Sequence, residues 1–171
     1  EMIVPYGPKE MPKHLQMYAG SDHAVTIKQA NDASCLLTAG VDENDDIWLM
    51  PDIFWDRKPT DFVVEEMLRL GKAYKPLVWW AESGHISKSI GPFLRTRILE
   101  PRNYINIQES PSHADKAQKA QAAVGRMAMQ KIRFPNWVWW YTPAINELMK
   151  FPHGRLNDFV DALSIICMGL D

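Results

Sequence analysis

Two aspartates, Asp158 and Asp161, stand at the start of an apolar run in "NDFVDALSIICMGLD". At ~100° per residue a spacing of three puts them about 60° apart around a helix axis, close enough to point at one place. The stripe Phe159, Leu163, Ile166 and Leu170 is then left to bury itself. One reading makes the pair ordinary N-terminal acids that complement the helix dipole, with Asn157 as the cap. The other reading joins them to two further acids. Asp22 ends the apolar run "QMYAGSD", and Glu82 ends "LVWWAE". Acids at strand ends and at a helix start can meet at one edge of a sheet. Like charges so close are costly unless a cation holds them or they take up protons. Ligands of oxygen alone suit Mg²⁺ or Mn²⁺. Two such ions ~4 Å apart are the usual device for cutting a phosphodiester, one activating water and the other stabilising the leaving oxygen. Asp22, Glu82, Asp158 and Asp161 are therefore the candidate metal ligands and catalytic groups.

The elements that would carry these acids alternate in type. Gln16 to Asp22 reads as a strand. "ASCLLTAGVDENDDIWLMPDIFW" reads as two strands joined by a turn at Asp42 to Asp46. "KPTDFVVEEMLRLGKAYKP" predicts a helix capped by Thr60 and stopped by Gly71. "LVWWAE" predicts a buried strand, with Trp79 and Trp80 facing opposite sides of the sheet. A helix weakened or delayed by Gly91 and Pro92, a strand at "NYINIQ" and a long helix over "ADKAQKAQAAVGRMAMQK" follow. Then come a short extended stretch, "IRFPNWVWWYT", a helix opened by Pro143, and the closing helix. A front hairpin followed by alternating strands and helices is an α/β pattern with an antiparallel portion.

Composition sets the outer limits. The 171 residues, 46% hydrophobic and 23% charged, suit one globular domain with a proper core. Residues 1–15, rich in Pro and charge, read as a linker-like segment of a longer chain, with the domain over residues 16–171. A formal charge of -2 excludes a simple polycation, so any nucleic acid must be met by local patches, a metal or a partner. Cys35 and Cys167 lie in apolar runs and read as reduced core residues. No run approaches the ~18 apolar residues of a membrane span. There is no zinc-ligand spacing, no G-x-S-x-G elbow and no phosphate-binding G-x-x-x-x-G-K-[ST] loop.

Several residues carry two readings each. His153 can assist proton transfer or touch a phosphate, or be an ordinary loop histidine. His23 and His85 follow candidate ligands and read better as exposed loop histidines. Lys116, Lys119 and Arg126 can form a phosphate-facing stripe or a solvated face. Lys88, Arg95, Arg97 and Arg102 form a second basic group beyond Glu82, placed to meet a DNA backbone. "NWVWWY" can stack bases, but a buried cluster or a domain contact explains it as well.

"YAGSDHA", "VWWAESGH" and "LMKFPHGRLNDFVDALS", in that order and spacing, resemble the nuclease domain of phage terminase large subunits. "DKAQKAQAAVGRMAMQKIRFP" is similar to that family's lysine-bearing helix and the turn after its fifth strand. The resemblance runs from about Gln16 to Leu170. It implies a ribonuclease H-like fold: a mixed central sheet, antiparallel hairpin plus parallel strands, flanked by helices. It assigns Asp22 to the first-strand aspartate that bridges two ions, Glu82 to the fourth-strand acid and Asp158 to the final-helix aspartate. Asp161 falls on the acid of a D-x-x-D-A pattern, and Lys116 on the family's lysine. Many members carry two adjacent aspartates where this chain has Asn157-Asp158; Asn157 then acts as a cap or as an amide ligand. The resemblance implies cutting of double-stranded DNA during genome packaging, in the host cytoplasm. Implied partners are an ATPase domain outside this chain, a small terminase subunit and a portal. The sequence leaves open a resolvase- or transposase-like nuclease of the same fold, and a non-catalytic module that grips DNA or docks on a portal.

Overall fold

The computed structural model of the chain describes residues 2–24, 33–82, 84, 91–100, 102–110, 116–154 and 157–171. In chain order its elements are β1 (Val4–Tyr6), β2 (Gln16–Asp22), β3 (Ser34–Val41), β4 (Ile47–Leu49), β5 (Phe54–Asp56), α1 (Thr60–Tyr74), β6 (Trp79–Glu82), α2 (Gly91–Ile98), β7 (Ile107–Ser110), α3 (Lys116–Lys119), α4 (Gln121–Ala128), β8 (Ile132–Pro135), α5 (Tyr141–Lys150) and α6 (Asp158–Leu170). The described strands form one mixed sheet in the order β1-β8-β4-β3-β2-β6-β7, with β5 also paired to β3. β2 runs antiparallel to β3 and parallel to β6, and β6 runs parallel to β7. This is the mixed sheet flanked by helices that the sequence predicts.

The strand alternation sorts the core into two faces. Ala19, Leu36 and Trp79 face α1 and α2, where Val63, Val64, Met67, Leu70 and Leu94 cover them. Leu37, Trp80 and Cys35 face the other way, onto Phe159, Leu163 and Ile166 of α6 and Met127 of α4. Trp79 and Trp80 thus point to opposite sides, as expected. α6 lies against β2 with no room for a side chain between them. A Cβ on Gly20 would sit 2.4 Å from Ile166 Cγ1 and 3.2 Å from the Ala162 carbonyl oxygen. At the other end of α6, a Cβ on Gly169 would meet the Trp80 ring at 2.3 Å.

Local departures have local causes. Residues 4–6, inside the stretch read as linker-like, form the edge strand β1 beside β8. Tyr6 is buried there and donates its hydroxyl hydrogen to the Leu49 carbonyl. α1 takes Thr60 as its first helical residue after Pro59 and runs past Gly71, ending at Lys75 in the left-handed region (φ 49°) before Pro76. Gly71 faces Ile105, so its small size serves packing and does not stop the helix. The long helix expected over residues 114–131 is two helices, broken at Ala120. The segment after β8 turns at residues 136–140 and enters α5 at Tyr141, earlier than Pro143 suggests. There Trp140 is buried and donates to the Pro51 carbonyl, whereas Trp137 and Trp139 remain exposed. Cys35 and Cys167 are buried and unbridged. Among the described residues no helix is long and apolar enough to cross a membrane.

Candidate metal centre

Strand register brings the first two acids together. Ser21 of β2 pairs with Ala81 of β6, so one step further the parallel register sets Asp22 beside Glu82. Across β2's other edge Asp22 pairs with Cys35, and Cys35 pairs with Trp55 of β5. Directly paired residues point to the same face. Asp22, Cys35 and Trp55 therefore form a row under α6.

α6 delivers the other two. Its close approach to β2 over Gly20 lays the Ala162 carbonyl near that glycine. Asp161 and Asp158 stand one residue and one turn before it, toward the end of β2 that carries Asp22. The electrostatics show the convergence. The Asp22 carboxyl is pushed well above the usual carboxylate range, first by burial, then by the charges of Asp161 and Asp158; Lys119 opposes the shift and Glu82 adds to it. The buried Cys35 thiol is pushed up as well, by burial and then by Asp22, Glu147, Asp158 and Asp161. The other three acids singled out in the sequence thus all act on Asp22, around the end of β2.

Two neighbours of this cluster carry no signal in its motif. Glu147 on α5 is buried, and its carboxylate accepts the backbone N–H of Phe159 at 2.9 Å. It also receives the N–H of Val160, and its pKa is pushed up to about 8 by burial and by Asp158. Glu147 therefore caps α6 from outside the helix. Asn157 holds the N-cap position, but its side chain makes no cap hydrogen bond. The expected capping role of the Asn157 amide is thus filled by Glu147, whose carboxylate reaches the first free N–H groups of the helix. Ala144 and Glu147, three residues apart, are the buried residues of α5.

The second neighbour is Lys119. Expected on an exposed stripe with Lys116 and Arg126, it is only 6% exposed, with its Nζ 3.5 Å from Glu82 Oε2. The break at Ala120 removes the common helix axis that the spacing assumed. Arg126 instead pairs with Asp171 at 2.6 Å. Lys116 opens α3, and Lys88 lies outside the described residues. Arg95 is exposed on α2, while Arg97 is engaged by Glu65 and Glu100. His153 is exposed in the turn after α5 and lines a cleft of about 500 Å³ with Trp55, Glu147, Lys150 and Gly154. His23 is buried, where an exposed loop residue was expected. Its Nε2 lies 2.6 Å from Ser21 Oγ, which also accepts from Trp79 Nε1 on the face opposite the acids. His85 lies outside the described residues.

The donor set fits a hard divalent cation. It is made of carboxylate oxygens, and the Asp22 carboxyl is held toward its protonated form by burial and then by the other acids, whose repulsion a bound cation would relieve. Asn157 adds a buried amide oxygen that receives no hydrogen bond among the described residues. As the side chains stand, no three described His, Cys, Asp or Glu residues close on a common ion position.

No protein-family model matches the sequence, and no curated protein does. Solved structures do match the fold. The large terminase nuclease from thermophilic phage G20c with bound magnesium is 14% identical, with a TM-score of 0.72 over 98% of this chain and 93% of that one. The same nuclease with bound cobalt gives 0.70 at 14% identity over the same shares. The human cytomegalovirus terminase nuclease domain is 12% identical, with a TM-score of 0.59 over 91% of this chain and 82% of that one. The chain therefore has the ribonuclease H-like fold of the terminase nuclease domains.

Proposed function

We propose that the protein is a divalent-metal-dependent endonuclease that cuts double-stranded DNA during viral genome packaging. The observation that carries this reading is that the β2–β6 register and the close seat of α6 on Gly20 bring Glu82, Asp158 and Asp161 near enough to Asp22 to act on its carboxyl. Four carboxylates so placed serve no packing purpose and call for positive charge. The solved structures of like fold support the choice of chemistry, since their names record nucleases, one of them with magnesium bound.

In this reading Asp22, Asp158 and Asp161 would hold Mg²⁺ or Mn²⁺, and Glu82 would complete the set for a second ion. Bound there, such ions would supply Lewis acidity and an activated water. The rest falls to the chain. Glu147 fixes the first turn of α6, and with it the direction of Asp158. Gly20 lets α6 sit low enough to bring Asp161 over β2. Lys116, Lys119, Lys88 and Arg95 are proposed to meet the DNA backbone, Lys119 from beside Glu82. His153, which lines the Trp55–Glu147 cleft, is proposed to orient a phosphate or a water. The partners proposed with this role are an ATPase domain, a small terminase subunit and a portal, met in the host cytoplasm.

Plasmid nicking tests the proposal. The parent should nick supercoiled DNA with Mn²⁺ or Mg²⁺ and not in EDTA, and Asp22→Asn should abolish nicking while still folding. Cleavage that survives in EDTA or in Asp22→Asn would refute it. A resolvase-like role would show instead as cleavage confined to branched DNA, and a passive docking module as DNA binding with no cleavage in either protein.

A further inference from the structure

A lysine buried beside metal-binding carboxylates needs a reason. Lysine is almost never buried unless paired, and removing its charge from water is costly. Lys119 is 6% exposed and Glu82 11%, and their charged atoms lie 3.5 Å apart. The chain goes out of its way to put the lysine there. α3 is only four residues long and breaks at Ala120, which turns Lys119 and Ala120 inward while Ala117 and Gln118 stay exposed.

The pairing is close but not locked. A charge-assisted hydrogen bond between ammonium and carboxylate spans about 2.7–2.9 Å, and this one is longer. The lysine head is a point charge on a flexible stem, able to swing away. An arginine there would grip the carboxylate in a rigid fork. Glu82 is also the acid that the sheet register sets beside Asp22, on the β6 side and away from β3. The cation thus stands on one flank of the cluster, and α6 brings Asp158 and Asp161 to it from above.

We infer that Lys119 is the built-in counter-ion of Glu82 and competes with a divalent ion for that carboxylate, so that the centre fills in two unequal steps. Asp22, Asp158 and Asp161 take the first ion. Glu82 joins a second only by giving up Lys119. This inference rests on the metal-centre reading above and deepens it: it assigns the order of filling and the residue that sets it. It also predicts that the released ammonium becomes available to a phosphate only when the second position is filled.

The test is titration of the metal-free protein with Mn²⁺, read by calorimetry and by the loss of free-ion paramagnetic resonance signal. The parent should bind one ion tightly and a second at least about tenfold more weakly, because a buried charge pair must be broken. Lys119→Met and Lys119→Gln should tighten the second step by about tenfold or more and the first by less, since the Lys119 charge also reaches Asp22. Lys119→Arg should keep two steps and weaken the second further, because its fork holds Glu82 more firmly. Two equal steps in the parent would overturn the inference, whether or not the variants fold. So would an unchanged second step in a folded Lys119→Met or Lys119→Gln protein. Failure of the underlying reading looks different: the parent would bind no Mn²⁺ that Asp22→Asn abolishes.

Discussion

Replacing Glu147 with glutamine should remove the part of the parent's pH dependence that Glu147 carries. Its carboxyl is pushed from 4.5 up to about 8, first by burial and then by Asp158, against the opposing hydrogen bonds from Phe159 and Val160. The folded chain therefore keeps a proton that the unfolded chain releases. Between about pH 4.5 and 8 the native state binds more protons than the unfolded state, so stability falls as pH rises through that window. A shift of one unit is worth about 1.4 kcal/mol, and part of this one is shared with Asp158 and Asp161; the window is worth about 2–5 kcal/mol. Glutamine resembles the protonated acid and keeps an oxygen for the Phe159 N–H. In EDTA, Glu147→Gln should be more stable than the parent by about 2–5 kcal/mol near pH 8.5 and equal to it within about 0.5 kcal/mol near pH 5. Urea unfolding at steps from pH 5 to 9 measures this, with an unchanged dependence on urea as the check that the native state is the same. Asp22 gives both proteins a slope of the same sign, so the difference between the two curves isolates Glu147. Parallel curves, or a glutamine variant less stable than the parent at high pH, would refute the reasoning.

Gly20→Ala should cost about 1–3 kcal/mol by overpacking, since its Cβ would strike Ile166 and the Ala162 carbonyl. It should also weaken Mn²⁺ binding in a calorimetric titration, because α6 must lift Asp158 and Asp161 away from Asp22. Gly125→Ala is the contrast. That glycine sits in α4 with nothing near the site of a new Cβ, so thermal unfolding should show a gain of about 0.5–1 kcal/mol from helix propensity alone.

Much of this site can be read from spacing. Asp22 and Glu82 each end an apolar run, and the runs are β2 and β6, whose parallel pairing sets the acids side by side. Asp158 and Asp161 follow from helical period. Hidden from the sequence were the groups whose roles depend on contacts distant along the chain. Glu147 looks like any glutamate of an amphipathic helix until α5 is packed against the start of α6. Lys119 looks solvated because the long Ala- and Lys-rich run reads as one helix, and nothing local announces the break at Ala120. His23 looks exposed because it follows a strand end, yet Ser21 and Trp79 form a buried polar network that takes it in. Edge strand β1 was masked by prolines and charges, its register set only by β8 and by Tyr6 reaching the Leu49 carbonyl.

The most direct measurement is an anomalous difference map from crystals soaked in Mn²⁺. The account predicts a peak bound by Asp22 and by Asp158 or Asp161, with a second, weaker one on the Glu82 side. No peak at the end of β2, with the ion bound elsewhere or nowhere, would contradict it.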